Sequence, residues 1–140
     1  MSIWSRLAIL AVLLALAAPA GRATAAPTAT LAWCANSQPA AAARSSVGVP
    51  IRIRGRVIRT YYASSSRGRP TFIDLLHPYP DRRRVTLVIW GEDRVNFPTP
   101  PERMFKRGQL ICAQGIPHRY AGAVNIEVGL WDAVSRLLTF

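Results

Sequence analysis

The groups in this chain that could ligate a metal or move a proton are few and scattered. His77, His118, Cys34 and Cys112 stand in four separate places, without the short spacings that gather ligands around one ion. Ser64-Ser65-Ser66 does not sit in a nucleophile-elbow frame, and no glycine-rich phosphate loop is present. The pattern implies no catalytic residue, no metal and no cofactor. Arginine, by contrast, is plentiful. Eighteen Lys and Arg oppose seven Asp and Glu, a formal net charge of +11, and Lys106 is the one lysine. Guanidinium offers a planar fork suited to carboxylates and phosphates and stays charged at any relevant pH. Such a surface favours anionic partners: nucleic acid, an acidic polysaccharide or lipid surface, or an acidic protein.

Part of the chain precedes the functional region. Residues 1–26 carry an early Arg6, then the run LAILAVLLALAAPA, then two small-residue sites, Ala18-Pro19-Ala20 and Ala23-Thr24-Ala25. This is the layout of a signal peptide, with either site open to cleavage. The apolar run is about 14 residues, short of the roughly 20 that span a bilayer. The expected protein is therefore secreted, or periplasmic in the cell envelope, and does not cross the membrane after cleavage. Removing the leader takes Arg6 and Arg22 and no acid, which leaves sixteen basic residues against seven, a net +9.

The elements that must position the remaining residues are short and alternate with period two. In the stretch from Phe105 to Val128, Leu110, Cys112 and Gln114 take one face of a strand, and Gln109, Ile111 and Ala113 the other. Gly108 prepares its start, and Gly115 interrupts it as glycine does at a bend or close backbone approach. His118 to Gly122 reads as a polar connection, followed by a strand with Val124, Ile126 and Val128 on one face. Upstream, Val49 to Tyr62 places Ile51, Ile53, Gly55 and Val57 on one face and Arg52, Arg54, Arg56 and Ile58 on the other. The phase breaks at Val57-Ile58, where a bulge would let one strand serve both ends of a barrel.

A polar loop, Ala63 to Arg69, leads to a second strand, Pro70 to Leu76, and Arg84 to Trp90 forms a third. Val88 and Trp90 make the outer face of that third strand apolar, so it is expected to meet the N-terminal arm or a ligand. Pro101 to Phe105 reads as one helical turn with proline at its first position. Trp131, Val134, Leu137 and Leu138 have helical spacing, so a short C-terminal helix is expected. The division is a leader over 1–26, a flexible arm over 27–48, and a barrel domain with its terminal helix over 49–140.

Five short strands with an irregular connection between the third and fourth resemble the OB-fold of nucleic-acid-binding type, an all-β, five-stranded Greek-key barrel. The residues that carry the resemblance are Phe105-Lys106-Arg107-Gly108, Leu110-Ile111-Cys112-Ala113-Gln114-Gly115, and Tyr120-Ala121-Gly122 before Val124-Asn125-Ile126-Glu127-Val128. Ile53-Arg54-Gly55-Arg56-Val57-Ile58 is similar to the first strand of such barrels. The match runs from Val49 to about Asp132. It implies binding of single-stranded nucleic acid across strands two and three and the connecting loops. The matching region holds Arg67, Arg69, Phe72, Arg82, Arg83, Arg84 and Trp90, with His118, Arg119 and Tyr120 on the final hairpin. Arginines would contact phosphates and exposed rings would stack on bases.

Some exported barrels of this kind resemble staphylococcal-type nucleases, which need clustered carboxylates to hold Ca²⁺. Between Ile58 and Leu76 the sequence has one carboxylate, Asp74, so no such cluster forms. The expected function is a non-enzymatic, exported binding protein for single-stranded nucleic acid or another polyanion. The alternative is a structural or protein-interaction module of the cell envelope that uses the apolar face at Val88 and Trp90. Export also supplies an oxidising compartment, and the two cysteines are expected to pair, Cys34 with Cys112.

Overall fold

The strand Ile51–Tyr62 (β2) is the one on which the others assemble. Ile51, Ile53, Gly55 and Val57 are buried while Arg54 and Arg56 are exposed, as period-two alternation against a core requires. In the computed structural model of the protein, residues 33–129 and 134–137 are described; the expected leader lies outside them. Along its first half β2 pairs antiparallel with Leu110–Gly115 (β5), from Ile51 opposite Gly115 to Arg56 opposite Leu110. Along its second half it pairs antiparallel with Thr71–Leu75 (β3). The register shifts between Val57 and Arg59. The bulge is thus where the sequence phase breaks, and it divides one strand between two neighbours.

The remaining pairings close an OB-like barrel. β3 pairs antiparallel with Val85–Ile89 (β4), and β4 pairs in parallel with Ala123–Glu127 (β7). β7 pairs antiparallel with Pro117–Tyr120 (β6). β5 and β6 are two halves of one strand bent at Ile116, so the fourth strand of the barrel reaches both the first and the fifth. The bend depends on Gly115, where a Cβ would lie 2.5 Å from Ile126 Cγ2. Ile53, Ile73, Leu75, Leu87, Ile89, Ile111 and Ile126 are fully buried inside, each contributing on the order of 2 kcal/mol of transfer free energy. The helical turn Pro101–Met104, with proline at its start as expected, packs Phe105 edge-on against Phe97 at 6.4 Å between ring centroids.

The N-terminal arm takes part in this core. Gln38–Pro39 (β1) pairs in parallel with β2, and the 3-10 turn Ala40–Arg44 buries Ala40 and Ala43. A Cβ at Gly55 would stand 3.0 Å from the Ala40 Cβ, so glycine lets the turn lie directly on the strand. Cys34 and Cys112 are disulfide-bonded with α-carbons 5.9 Å apart, as expected from the sequence. Arg52 stacks 4.8 Å above the Trp33 ring and donates to the Trp33 carbonyl at 2.8 Å.

Three sequence expectations are corrected. Val134–Leu137, read as part of a terminal helix, forms a strand (β8) antiparallel to β5, with Val134 opposite Ala113 and Leu137 opposite Leu110. A helix of that length is marginal alone, whereas the β5 edge offers a row of unpaired backbone groups. The connection read over His118 to Gly122 is a two-residue hairpin turn, since Tyr120 already pairs with Ala123. Ala121 and Gly122 have φ of 48° and 79°, the left-handed pair that such a turn needs. Finally, Trp90 is met by a loop of the barrel itself, where the arm or a ligand was expected. Trp90 is covered by the 63–70 loop, where a Cβ on Gly68 would lie 3.0 Å from its ring and Gly91 N–H donates to the Gly68 carbonyl at 2.8 Å.

Candidate ligand-binding face

The bulge in β2 determines what the outer face of the barrel displays. Without the extra residue, Arg59 and Tyr61 would share the inward phase of Val57. With it, Arg59 stands opposite Asp74 and Tyr61 opposite Phe72, both turned outward. The register then extends the row across the sheet: Asp74 opposite Thr86, Thr86 opposite Asn125, and Asn125 opposite His118. Asp74, Thr86 and Asn125 are buried although they lie on the outer face. They are covered by neighbouring side chains, and together these enclose a cavity of about 530 Å³.

The cavity has a polar floor and an aromatic wall. Thr86 Oγ1 donates to Asp74 Oδ1 at 2.7 Å, and the Tyr79 N–H donates to Asp74 Oδ2 at 3.0 Å. The Arg84 Nε lies 3.9 Å from Asp74 Oδ1. Asn125 is 7% exposed, and its amide makes no hydrogen bond among the described residues. Tyr61, Tyr79 and Tyr120 stand around the opening and are 49 to 68% exposed, with Phe72 half-buried between them and the floor. Arg59 stacks 4.9 Å from the Tyr61 ring centre and Arg84 lies 5.1 Å from that of Tyr79. These contacts hold both guanidinium planes against rings at the cavity wall.

Of the residues singled out in the sequence, Phe72, Arg84 and Tyr120 line this cavity. Arg82 is exposed and lies against the hairpin tip, its Cδ 3.0 Å from where a Cβ on Gly122 would be. Arg67 and Arg69 are exposed on the loop whose Ser66 and Ala63 line the same cavity. Arg83 is bound to Asp81 at 2.7 Å; its hydrogen bond holds the Asp81 carboxyl well below the usual carboxylate range. His118 continues the polar row, with Nε2 4.0 Å from Glu127 Oε1. Arg119 is exposed on the opposite face of β6, and Trp90 lies under Gly68, outside the cavity lining.

Arg59, Tyr61, Asp74, Tyr79 and Asn125 were not singled out. The available signal was the outward phase of three strands, since TFIDL, VTLVI and AVNIE each place a polar residue there. A second cavity, between Ile58, Thr60, Glu102, Phe105 and Arg107, adjoins the other side of Arg59. Among the described residues, no three His, Cys, Asp or Glu are placed to hold a metal ion, and no helix is long and apolar enough to cross a membrane.

No family model matches the sequence, and no curated protein matches it. Among solved structures the chain is similar to the aspartyl tRNA synthetase from Entamoeba histolytica, with a TM-score of 0.51 and 11% identity over 71% of this chain and 21% of that one. It is also similar to the S. pombe Stn1-Ten1 complex, with 13% identity, a TM-score of 0.46, and 64% of this chain and 59% of that chain covered. A lysozyme-bound OBody, AM1L10, shares 14% identity at a TM-score of 0.44 over 69% of this chain and 85% of that one. The chain thus spans about a fifth of the synthetase and about three fifths of the Stn1-Ten1 chain it matches. At 11% identity the likeness to the synthetase is one of fold.

Proposed function

We propose that this protein is an exported, non-enzymatic binding protein whose OB-like barrel takes single-stranded nucleic acid on the outer face of β2, β3, β4 and β7. The observation that carries the reading is the clustering of Tyr61, Tyr79 and Tyr120 around one cavity, with Arg67, Arg69 and Arg82 exposed beside it. Rings at this exposure supply stacking surface for unpaired bases, and arginines next to them supply phosphate contacts. The disulfide between Cys34 and Cys112 supports export, because such bridges persist in oxidising compartments. The rival reading, a protein-interaction module built on Val88 and Trp90, draws no support from their placement, since Val88 is buried and Trp90 lies under Gly68.

Stacking needs bases free of a duplex, which gives the reading a direct test. Fluorescence anisotropy with a labelled oligonucleotide of about 20 residues, single-stranded and then annealed to its complement, should give tighter binding to the single strand. Heparin, a polyanion without bases, should compete less well than unlabelled single strand. Equal affinity for heparin and single strand would leave only a general polyanion binder. No binding to either would remove the reading.

A further inference from the structure

Asn125 has no structural employment among the described residues. Its side chain is 7% exposed, lines the cavity and makes no hydrogen bond to the described residues, and since no fully buried side-chain N or O there lacks a partner, its amide is open to the cavity. Asp74, paired with the Arg84 Nε at 3.9 Å, keeps unused acceptor capacity. Its carboxylate accepts one hydrogen bond at each oxygen, from Thr86 and from the Tyr79 N–H, so about two of its four lone-pair sites remain. The two residues are separated by one strand, with Thr86 between them in register. Their α-carbons are therefore about 10 Å apart, a gap that one base edge bridges when short side chains reach in from both sides. Tyr61 and Phe72, paired across β2 and β3, stand next to this floor as ring surface.

We infer that the cavity admits one unstacked nucleobase by its edge and prefers guanine. The inference rests on the single-strand reading above and adds a base preference to it. Guanine is the base that presents two adjacent donors, N1–H and N2–H₂, beside an acceptor, O6. A carboxylate accepts the donor pair, and the Asn125 amide donates to O6. Adenine and cytosine offer a single exocyclic donor group next to an acceptor, and thymine a lone N3–H between two acceptors. Each can give one donor to Asp74 and one acceptor to Asn125, but none presents guanine's second adjacent donor. One carboxylate lone pair then stays without a partner, and a site built on hydrogen bonds away from water discriminates against an analogue that leaves one unmade.

The test uses labelled strands of about 12 thymidines carrying one central guanine, adenine, cytosine or hypoxanthine. The guanine strand should bind at least about fivefold more tightly than all-thymidine, the low end for a good bidentate contact. Hypoxanthine keeps N1–H and O6 but lacks the N2 amino group, so it should lose most of that gain without any change in the protein. Asn125→Leu should bring the ratio of guanine-strand to all-thymidine affinity down to about one. Equal binding of all strands overturns this inference and leaves the single-strand reading standing. So does a hypoxanthine strand that binds as well as guanine, or a leucine variant that weakens every strand alike. If no strand binds, both readings fall together.

Discussion

Arg84 and Asp74 approach to 3.9 Å with 10% and 5% of their side chains exposed, so the last arginine of the Arg82-Arg83-Arg84 run is part of the cavity wall. Arg82, two residues away, is exposed against the hairpin tip. The two should therefore behave in opposite ways. Arg84→Ala leaves a buried carboxylate without its cation and is expected to cost about 3–5 kcal/mol, measured by urea unfolding. Arg82→Ala should change stability by less than about 0.5 kcal/mol while weakening oligonucleotide binding. Equal stability loss in both would contradict the assignment.

The bend of the fourth strand rests on a missing side chain. Gly115→Ala places a methyl 2.5 Å from Ile126 Cγ2, and overpacking of this kind costs about 1–3 kcal/mol. Ile126→Leu takes away the Cγ2 methyl at the β-carbon while keeping the side chain's volume. The double variant should be less destabilised than the two single losses added together. Strict additivity in denaturant melts would show that the contact does not limit the strand.

Reduction should release the arm. The bridge joins residues 78 positions apart, and loop closure on that scale contributes about 4 kcal/mol, less where the reduced chain keeps structure. The Cys34→Ser, Cys112→Ser variant and the dithiothreitol-treated protein should both unfold at lower urea than the oxidised protein. Digestion without reductant followed by mass spectrometry should yield a linked Cys34–Cys112 peptide. Free Cys34 and Cys112 peptides from the same digestion would refute the pairing.

Acid should loosen the helical turn at Pro101–Met104. Arg94 donates to Glu102 at 2.8 and 3.1 Å, and these bonds hold the Glu102 carboxyl below its ordinary value. A carboxyl whose folded value is depressed stabilises the fold above the unfolded value, and that contribution is lost as pH falls through the folded one. Wild type should thus melt a few degrees above Glu102→Gln at pH 7, with the difference shrinking below about pH 4.5. A difference that stays constant with pH would mean the pair contributes nothing through charge.

The barrel was legible because its strands alternate strictly enough to fix inward and outward faces, and because Gly108, Gly115 and the Val57-Ile58 phase break mark where strands start, bend and bulge. Val134–Leu137 was not, since four residues carry no reliable period and their strand state comes from the β5 edge they join. The arginine excess misled in part. Arg52, Arg54 and Arg56 donate to backbone carbonyls of Trp33, Ser37 and Gly108, Arg83 is tied to Asp81, and Arg94 is tied to Thr71 and Glu102. Composition counts such residues as free charge; only the fold shows them occupied. The cavity was hidden for a related reason. Arg59, Asp74, Thr86 and Asn125 become neighbours through cross-strand register, which no local spacing encodes.

The salt dependence of single-strand binding tests the central claim most directly. Arg67, Arg69 and Arg82, exposed beside the cavity, make no salt bridge among the described residues. At about 0.7 released counterions per phosphate contact on a single strand, three contacts predict a slope near −2 for log affinity against log salt concentration. Arg82→Ala should make the slope shallower by about 0.7. Anisotropy titrations of a labelled single strand at several salt concentrations between about 50 and 200 mM give that slope. A value near −2 that shifts with Arg82 is the predicted result; a slope near zero, or no binding at the lowest salt, would contradict the account.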